Sequence, residues 1–168
     1  MMARAHPTIG LRPFLADDAP ILAAIFRAAI EELTEEDYTP PQQEAWAAAA
    51  DDEEVFAERL GKRLTLIATL EGSPVGFAAL EGPSTIDMLY VHPAVVRQGI
   101  GTMLYDALEK LAASRGASHL LVDASDTALP FFQKRGFAAQ QRNTISTGNE
   151  WLSNTTMKKQ LAGKGGAP

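Results

Sequence analysis

The chain contains no cysteine, which excludes disulfides, thiolate metal sites and a cysteine nucleophile. Histidine is scarce as well. His6, His92 and His119 stand far apart without ligand-like spacing, so no metal is expected. Basic residues are in the minority, 15 Lys and Arg against 21 Asp and Glu, for a formal net charge of −6. A general nucleic-acid binder shows the opposite balance, with a basic stripe, so no nucleic-acid partner is expected. The negative charge favours solubility and is compatible with a cationic acceptor. Long apolar runs are missing: nothing approaches the ~20 residues that cross a bilayer. Met1-Met2-Ala3-Arg4 leads into no apolar signal-peptide core, so the cytoplasm is the expected compartment, with no membrane partner.

What is present suits one domain. A chain of 168 residues buries roughly two thirds of its unfolded surface, enough for a single core. The expected limits are residues 1–162 for the domain and 163–168 for a flexible glycine-rich tail. Thr8 to Pro13 reads as a first strand. Asp17 and Asp18 cap a helix with Pro20 in its first turn, and Ile21, Leu22, Ile25, Phe26, Ala29, Ile30 and Leu33 recur at helical spacing on a face expected to be buried. An acidic run, Glu31, Glu32, Glu35, Glu36 and Asp37, leads to Tyr38-Thr39-Pro40-Pro41. The prolines end one helix and can start another, about Gln42 to Ala50, carrying Trp46. A further helical piece, about Glu53 to Leu60, stops at Gly61.

Strands dominate the middle. Leu64 to Leu70 and Pro74 to Leu80 flank the short loop Glu71-Gly72-Ser73, and a turn at 81–84 feeds a strand from Thr85 to Val91. These predict three consecutive antiparallel strands. His92-Pro93 stops the last of them, and Gln98-Gly99-Ile100-Gly101-Thr102 opens an amphipathic helix. Its expected buried face is Ile100, Met103, Leu104, Ala107, Leu108 and Leu111, with Asp106, Glu109 and Lys110 exposed and an end near Gly116. Leu120-Leu121-Val122 is uniformly apolar and belongs at the sheet centre, parallel to the strand before the helix. Thr127 caps a short helix, Ala128 to Arg135, closed by Gly136. Phe137 to Ser146 and Trp151 to Leu161 are two final strands, and late strands of this kind are a natural place for a homodimer contact.

A helix start leaves its first N–H groups without intrahelical partners and carries partial positive charge, so it attracts phosphate. Gly99 and Gly101 have no Cβ, which lets an anion approach the backbone. A Walker loop is excluded because no Lys-Ser or Lys-Thr follows at its spacing. A Rossmann fingerprint is disfavoured by the antiparallel strands and the missing third glycine.

With these residues, the chain resembles the GNAT superfamily of acyl-CoA-dependent N-acetyltransferases. That family's central motif is Gln or Arg, two residues, Gly, one residue, then Gly or Ala, after a strand and its terminating proline, and VHPAVVRQGIGTMLYDAL matches it. Its second block appears as Ala128-Leu129-Pro130-Phe131-Phe132-Gln133-Lys134-Arg135-Gly136-Phe137. The resemblance covers nearly the whole chain in element order, with the N-terminal third matching in outline. It implies an α/β (α+β) fold: a mixed, mostly antiparallel sheet of six or seven strands with flanking helices and a central splay. It implies acetyl-CoA as co-substrate and acetyl transfer to a primary amine, small-molecule or peptide, by direct attack on the thioester. The pyrophosphate would sit on the N–H groups of Gln98, Gly99, Ile100, Gly101 and Thr102, near Arg97. The pantetheine arm would pair with the backbone of Leu89 and Val91, and Ser125, Phe132 and Lys134 would line the cofactor side.

Two departures from the family pattern bear on chemistry. The first motif position is Val96, and the usual tyrosine acid is Phe132, which has no proton to give. Both motivate the alternative of a non-catalytic acyl-CoA-binding module. For catalysis, a lysine-like amine with pKa ~10.4 must lose a proton first. Among the sheet carboxylates Glu81, Asp87 and Asp123, the expected base is Glu81 or Asp87, acting through water, against the plainer roles of a solvated turn residue and a structural hydrogen bond. Tyr90 and Tyr105 are candidate substitute acids or packing residues with bonded hydroxyls. For the acceptor, the resemblance points to Glu31 to Tyr38 with Trp46 nearby; that acidic run is either an amine-attracting patch or a solvated helix end.

Overall fold

Apolar spacing translates into seven strands and five α-helices in the computed structural model, which describes residues 8–161. His6 and the expected tail lie outside those residues. In chain order these are β1 (Ile9–Pro13), α1 (Ala19–Leu33), α2 (Pro40–Ala47), α3 (Glu53–Gly61), β2 (Leu64–Leu70), β3 (Ser73–Glu81), β4 (Thr85–Val91), α4 (Ile100–Ser114), β5 (His119–Ser125), α5 (Leu129–Gln133), β6 (Ala138–Thr147) and β7 (Glu150–Gln160). The sheet order is β1-β2-β3-β4-β5-β7-β6, antiparallel throughout except between β4 and β5. The single parallel pair is the one that the crossover through α4 demands.

Helices cover both faces. α4 and α5 pack with Ala68, Ala78, Leu80, Ile86, Leu120 and Val122 in one core. On the other face α1, α2 and α3 bury Leu22, Phe26, Ile30 and Phe56 against Ile67, Phe77, Ala79 and Met88. Thr39 caps α2 as a reciprocal pair with Gln42, whose N–H it accepts while Gln42 Oε1 accepts the Thr39 N–H at 2.9 Å. Asp52 caps α3 by accepting the Val55 N–H at 3.1 Å.

Several local expectations are corrected. Ile21 and Leu33 are 42% and 36% exposed: Ile21 falls off the stripe centred on Leu22, Phe26 and Ala29, and Leu33 overhangs a cleft from the last turn of α1. Asp18 caps the 3-10 turn before α1, accepting the Leu15 N–H at 2.8 Å while pairing with Arg12. Glu109 is turned inward, because the Tyr105 hydroxyl donates to it at 2.8 Å and Lys159 pairs with it. Thr127 is no cap; its hydroxyl donates to Asp37 at 2.7 Å, and Ser125 Oγ accepts the Ala128 N–H instead.

A β-bulge in β4 shapes everything that follows. Ala79 pairs with Met88, but Leu80 pairs with Ile86, so Asp87 is the extra residue. Ile86 and Met88, two apart, consequently enter opposite cores instead of sharing a face. Gly76 of β3 lies against this strand: a Cβ there would be 3.0 Å from the Tyr90 carbonyl oxygen and 3.3 Å from both Ile100 and Leu104. The backbone oxygen cannot yield cheaply, so Gly76→Ala is expected to destabilise the fold by about 1–3 kcal/mol, read by urea denaturation; unchanged stability would mean that β3, β4 and α4 are packed less tightly than described.

Candidate active site

The strand edges around the bulge leave main-chain groups without strand partners. β4 and β5 pair only at Thr85–Leu121 and Ile86–Val122, then separate. Beyond the bulge the His92 N–H bonds the Val75 carbonyl at 2.8 Å, and the Tyr90 carbonyl faces Gly76. Alternation along the strand therefore turns the N–H and C=O groups of Leu89 and Val91 into the gap. The gap is the floor of a cleft of about 790 Å³.

At one end of the cleft α4 begins. Gly99 has φ +83°, a conformation that favours glycine, and nothing lies within 4 Å of where its Cβ would be. Arg97 also sits in the left-handed region at φ +66°, at a cost on the order of 1 kcal/mol. The first carbonyl to accept within the helix is that of Gly99, from the Met103 N–H at 3.0 Å. The N–H groups ahead of Met103 are therefore presented to a ligand. Three cations, Arg97, Lys134 and Arg135, line this end. Arg135 is held over the Phe131 ring, 3.5 Å from its centroid, and donates to the Phe131 carbonyl at 2.9 Å and to the Thr102 hydroxyl. Sequence reading missed Arg135, although its spacing of four residues from Phe131 on a helix was a usable signal.

Of the residues expected on the cofactor side, Leu89, Val91, Arg97, Gly99, Ile100, Gly101, Thr102, Ser125, Phe132 and Lys134 line the cleft, and Gln98 does not. Phe132 is buried in an aromatic cluster with Phe131, Tyr105 and Phe137. Asp87 and Tyr90 line the cleft, whereas Glu81, at the end of β3, does not. Arg59 Nε and Nη2 donate to the Asp87 carboxylate at 3.1 and 3.0 Å, and Arg63 Nε adds a third bond at 3.2 Å. Arg63 also pairs with Glu81 at 3.0 Å. Asp123 accepts the Thr156 hydroxyl at 2.6 Å. The acidic residues Glu31, Glu32, Glu35, Glu36 and Asp37 are exposed and do not line the cleft; Thr34 and Tyr38 of the same segment do.

The three tyrosines differ in what their hydroxyl protons do. Tyr105 donates to Glu109 and does not line the cleft; burial and the neighbouring carboxylate push its phenol far up. Tyr38, which sequence reading placed only in the acceptor region, spans the cleft end: its hydroxyl accepts the Asp126 N–H at 2.9 Å and donates to the Ser153 carbonyl at 2.7 Å. Burial raises its pKa too. Tyr90 accepts from Trp46 Nε1 at 3.3 Å and donates to no protein group among the described residues. Burial pushes it up to about 12.

A mixed sheet split between two parallel strands, with a helix start at the mouth of the split, defines an α/β protein whose cleft suits an extended phosphorylated ligand. The family model for the acetyltransferase (GNAT) domain matches residues 34–161, and the chain belongs to the GNAT acetyltransferase family. It is 34% identical over 150 residues, 89% of its length and 95% of the relative's, to an uncharacterized N-acetyltransferase, YafP, of Escherichia coli K12. The crystal structure of a GCN5-related N-acetyltransferase from Rhodopseudomonas palustris matches with a TM-score of 0.90 at 61% identity, covering 96% of this chain and 99% of that one. The PaiA N-acetyltransferase of Thermoplasma acidophilum, solved in complex with coenzyme A, shares the fold with a TM-score of 0.77 at 19% identity, over 92% and 99% of the two chains. The protein is thus an acyltransferase, and the non-catalytic alternative raised by Phe132 and Val96 is not favoured.

Because all three phenols are raised, phenolate absorbance in the folded protein should appear only above pH ~10, the ordinary tyrosine value. The linkage sign is destabilising: the unfolded chain ionises near pH 10 while the folded one stays protonated, so stability falls as pH rises from about 10 through the folded pKa values. Ultraviolet titration beside alkaline denaturation checks both, and a phenol ionising below pH 10 in the folded state would contradict the burial of Tyr90 and Tyr105.

Proposed function

We propose that the protein transfers the acetyl group of acetyl-CoA to the primary amine of a small-molecule or peptide acceptor by direct attack on the thioester. One observation carries this reading: an unpaired strand edge at Leu89 and Val91 and an open helix start at Gly99 lie in the same cleft, matching an arm with amides that ends in a pyrophosphate. The fit is local as well, since the space beside Gly99 is vacant of protein atoms.

Acetyl-CoA supplies an acyl group already activated as a thioester. The N–H groups of Gly99 to Thr102 receive the pyrophosphate, supported by Arg97, Lys134 and Arg135. Each helix-end interaction contributes ~0.3–1 kcal/mol, so affinity depends on several donors converging. Leu89 and Val91 bond the pantetheine amides, and Ser125, whose Oγ already accepts from Ala128, keeps a proton to donate. Asp87 is the base: three of its roughly four acceptor positions are taken by arginine N–H groups, and the last, on Oδ1, takes the amine proton directly or through water. Glu81, outside the cleft, serves by holding Arg63. Tyr90 steadies the departing thiolate. With a phenol near 12 against ~8.5 for a thiol, it does so by donating a hydrogen bond rather than by giving up its proton.

Gly99→Glu puts bulk and negative charge where the pyrophosphate would lie, and calorimetry should show acetyl-CoA binding abolished; unchanged affinity would remove the pyrophosphate assignment. Tyr90→Phe should lower kcat on the order of 10²-fold with acetyl-CoA affinity retained, measured by thiol release. An unaltered kcat would leave Tyr90 with only its packing role against Phe26 and Phe77.

A further inference from the structure

The acceptor end of the cleft has its own charge arrangement, and it points to a particular kind of amine. Arg59 and Asp87 both line the cleft, joined by two parallel hydrogen bonds. That pairing uses Nε and Nη2 of the guanidinium. Nη1, with two N–H groups, has no partner among the described residues. On the carboxylate, Oδ2 accepts from both Arg59 and Arg63, while Oδ1 accepts only from Arg59 Nη2. The pair therefore presents, side by side, two spare donors beside one spare acceptor position.

Arg63 closes the arrangement from behind by binding Glu81. Two guanidiniums and two carboxylates make a cluster that is neutral overall, so it exerts no net pull on a polycation. Of the two carboxylates that line the cleft, Asp87 is paired and Asp123 accepts only the Thr156 hydroxyl; the run from Glu31 to Asp37 is exposed and outside the cleft. The walls near the pair are apolar or aromatic, with Ile30, Leu33, Trp46 and the Tyr90 ring. The remaining cleft cations, Arg97, Lys134 and Arg135, lie at the α4 end.

We propose that the acceptor is a zwitterion on an apolar body, an amine that also carries a carboxylate, with apolar α-amino acids as its simplest members. Arg59 Nη1 takes the acceptor carboxylate, and Asp87 Oδ1 takes its ammonium. This deepens the acetyl-transfer reading above and rests on it for the fate of the amine. A second ammonium, as in a polyamine, has only Asp123 to meet among the cleft carboxylates and, like an uncharged end, leaves the Arg59 Nη1 donors unsatisfied.

The test uses the full chain and matched pairs that differ only in the carboxylate: phenylalanine against phenethylamine, and leucine against isoamylamine, with spermidine as the polycation. Binding is read by calorimetry and transfer by thiol release from acetyl-CoA. The expected result is that each amino acid exceeds its decarboxylated partner about tenfold or more in affinity and in kcat/KM, as expected for a charge-assisted bond at a desolvated site, with spermidine weakest. Arg59→Lys and Arg59→Gln, checked for folding by thermal melting, should reduce the ratio towards one. Equal binding of the matched partners, a preference for spermidine, no binding by any of the five, or an undiminished ratio in a folded Arg59 variant would each overturn the proposal. If the amino acids bind selectively but release no thiol, the acceptor pocket stands and the acetyl-transfer reading fails. If amines are acetylated without regard to the carboxylate, the reverse holds.

Discussion

The pairing of β4 with β5 holds for two residue positions and then stops, and the cleft is built on where it stops. A continued ladder would have bonded Leu89 and Val91 to β5 and left no cleft. The bulge at Asp87 decides which groups face the opening, because one extra residue reverses the alternation of side chains and main-chain groups along the strand. It sends Ile86 to the α4 core and Met88 to the α1 core. It also delivers the Asp87 carboxylate to the helical face that carries Arg59. A ligand edge and an ion pair thus arise from the same local irregularity.

Charge is sorted along the cleft in a way that net charge does not describe. The chain is acidic overall, yet the α4 end gathers three cations beside partially positive N–H groups, an arrangement suited to phosphate. Around Asp87 the charges cancel. The excess of carboxylates lies outside, on α1 and the segment after it, where solvent screens it. Opposite ends of one cleft therefore differ in charge: cations beside open N–H groups at one, an internally balanced cluster at the other.

The phenols show how burial sorts like groups into different roles. Phe132 occupies the family's tyrosine position and is packed among aromatic rings. Tyr105 is locked to Glu109, and Tyr38 ties the segment after α1 to β7 and to the start of the α5 loop. Tyr90 combines cleft position with an uncommitted hydroxyl proton. Its elevated pKa makes it a durable donor across the neutral range but a weak acid.

Much of the fold was legible in the sequence because periodicity, caps and turn residues act locally. The strands from Leu64 to Val91, the amphipathic α4 and the apolar β5 followed from spacing alone. The open start of α4 at Gly99 was legible because it depends on a residue without a Cβ, which a single residue type reveals. The family resemblance carried the splay, but no residue pattern announced a bulge at Asp87. Arg59 and Arg63 also escaped notice, since they reach Asp87 across 28 and 24 residues and their pairing exists only once α3 is laid on the sheet. The acidic run could be read either as an amine-attracting patch or as a solvated helix end because sequence shows charge without direction, and the packing of α1 turned it to solvent. Short-range sterics and hydrogen bonding let the sequence determine the elements and the open start of α4; long-range packing decided the charge arrangement around Asp87, because only it sets which charges meet.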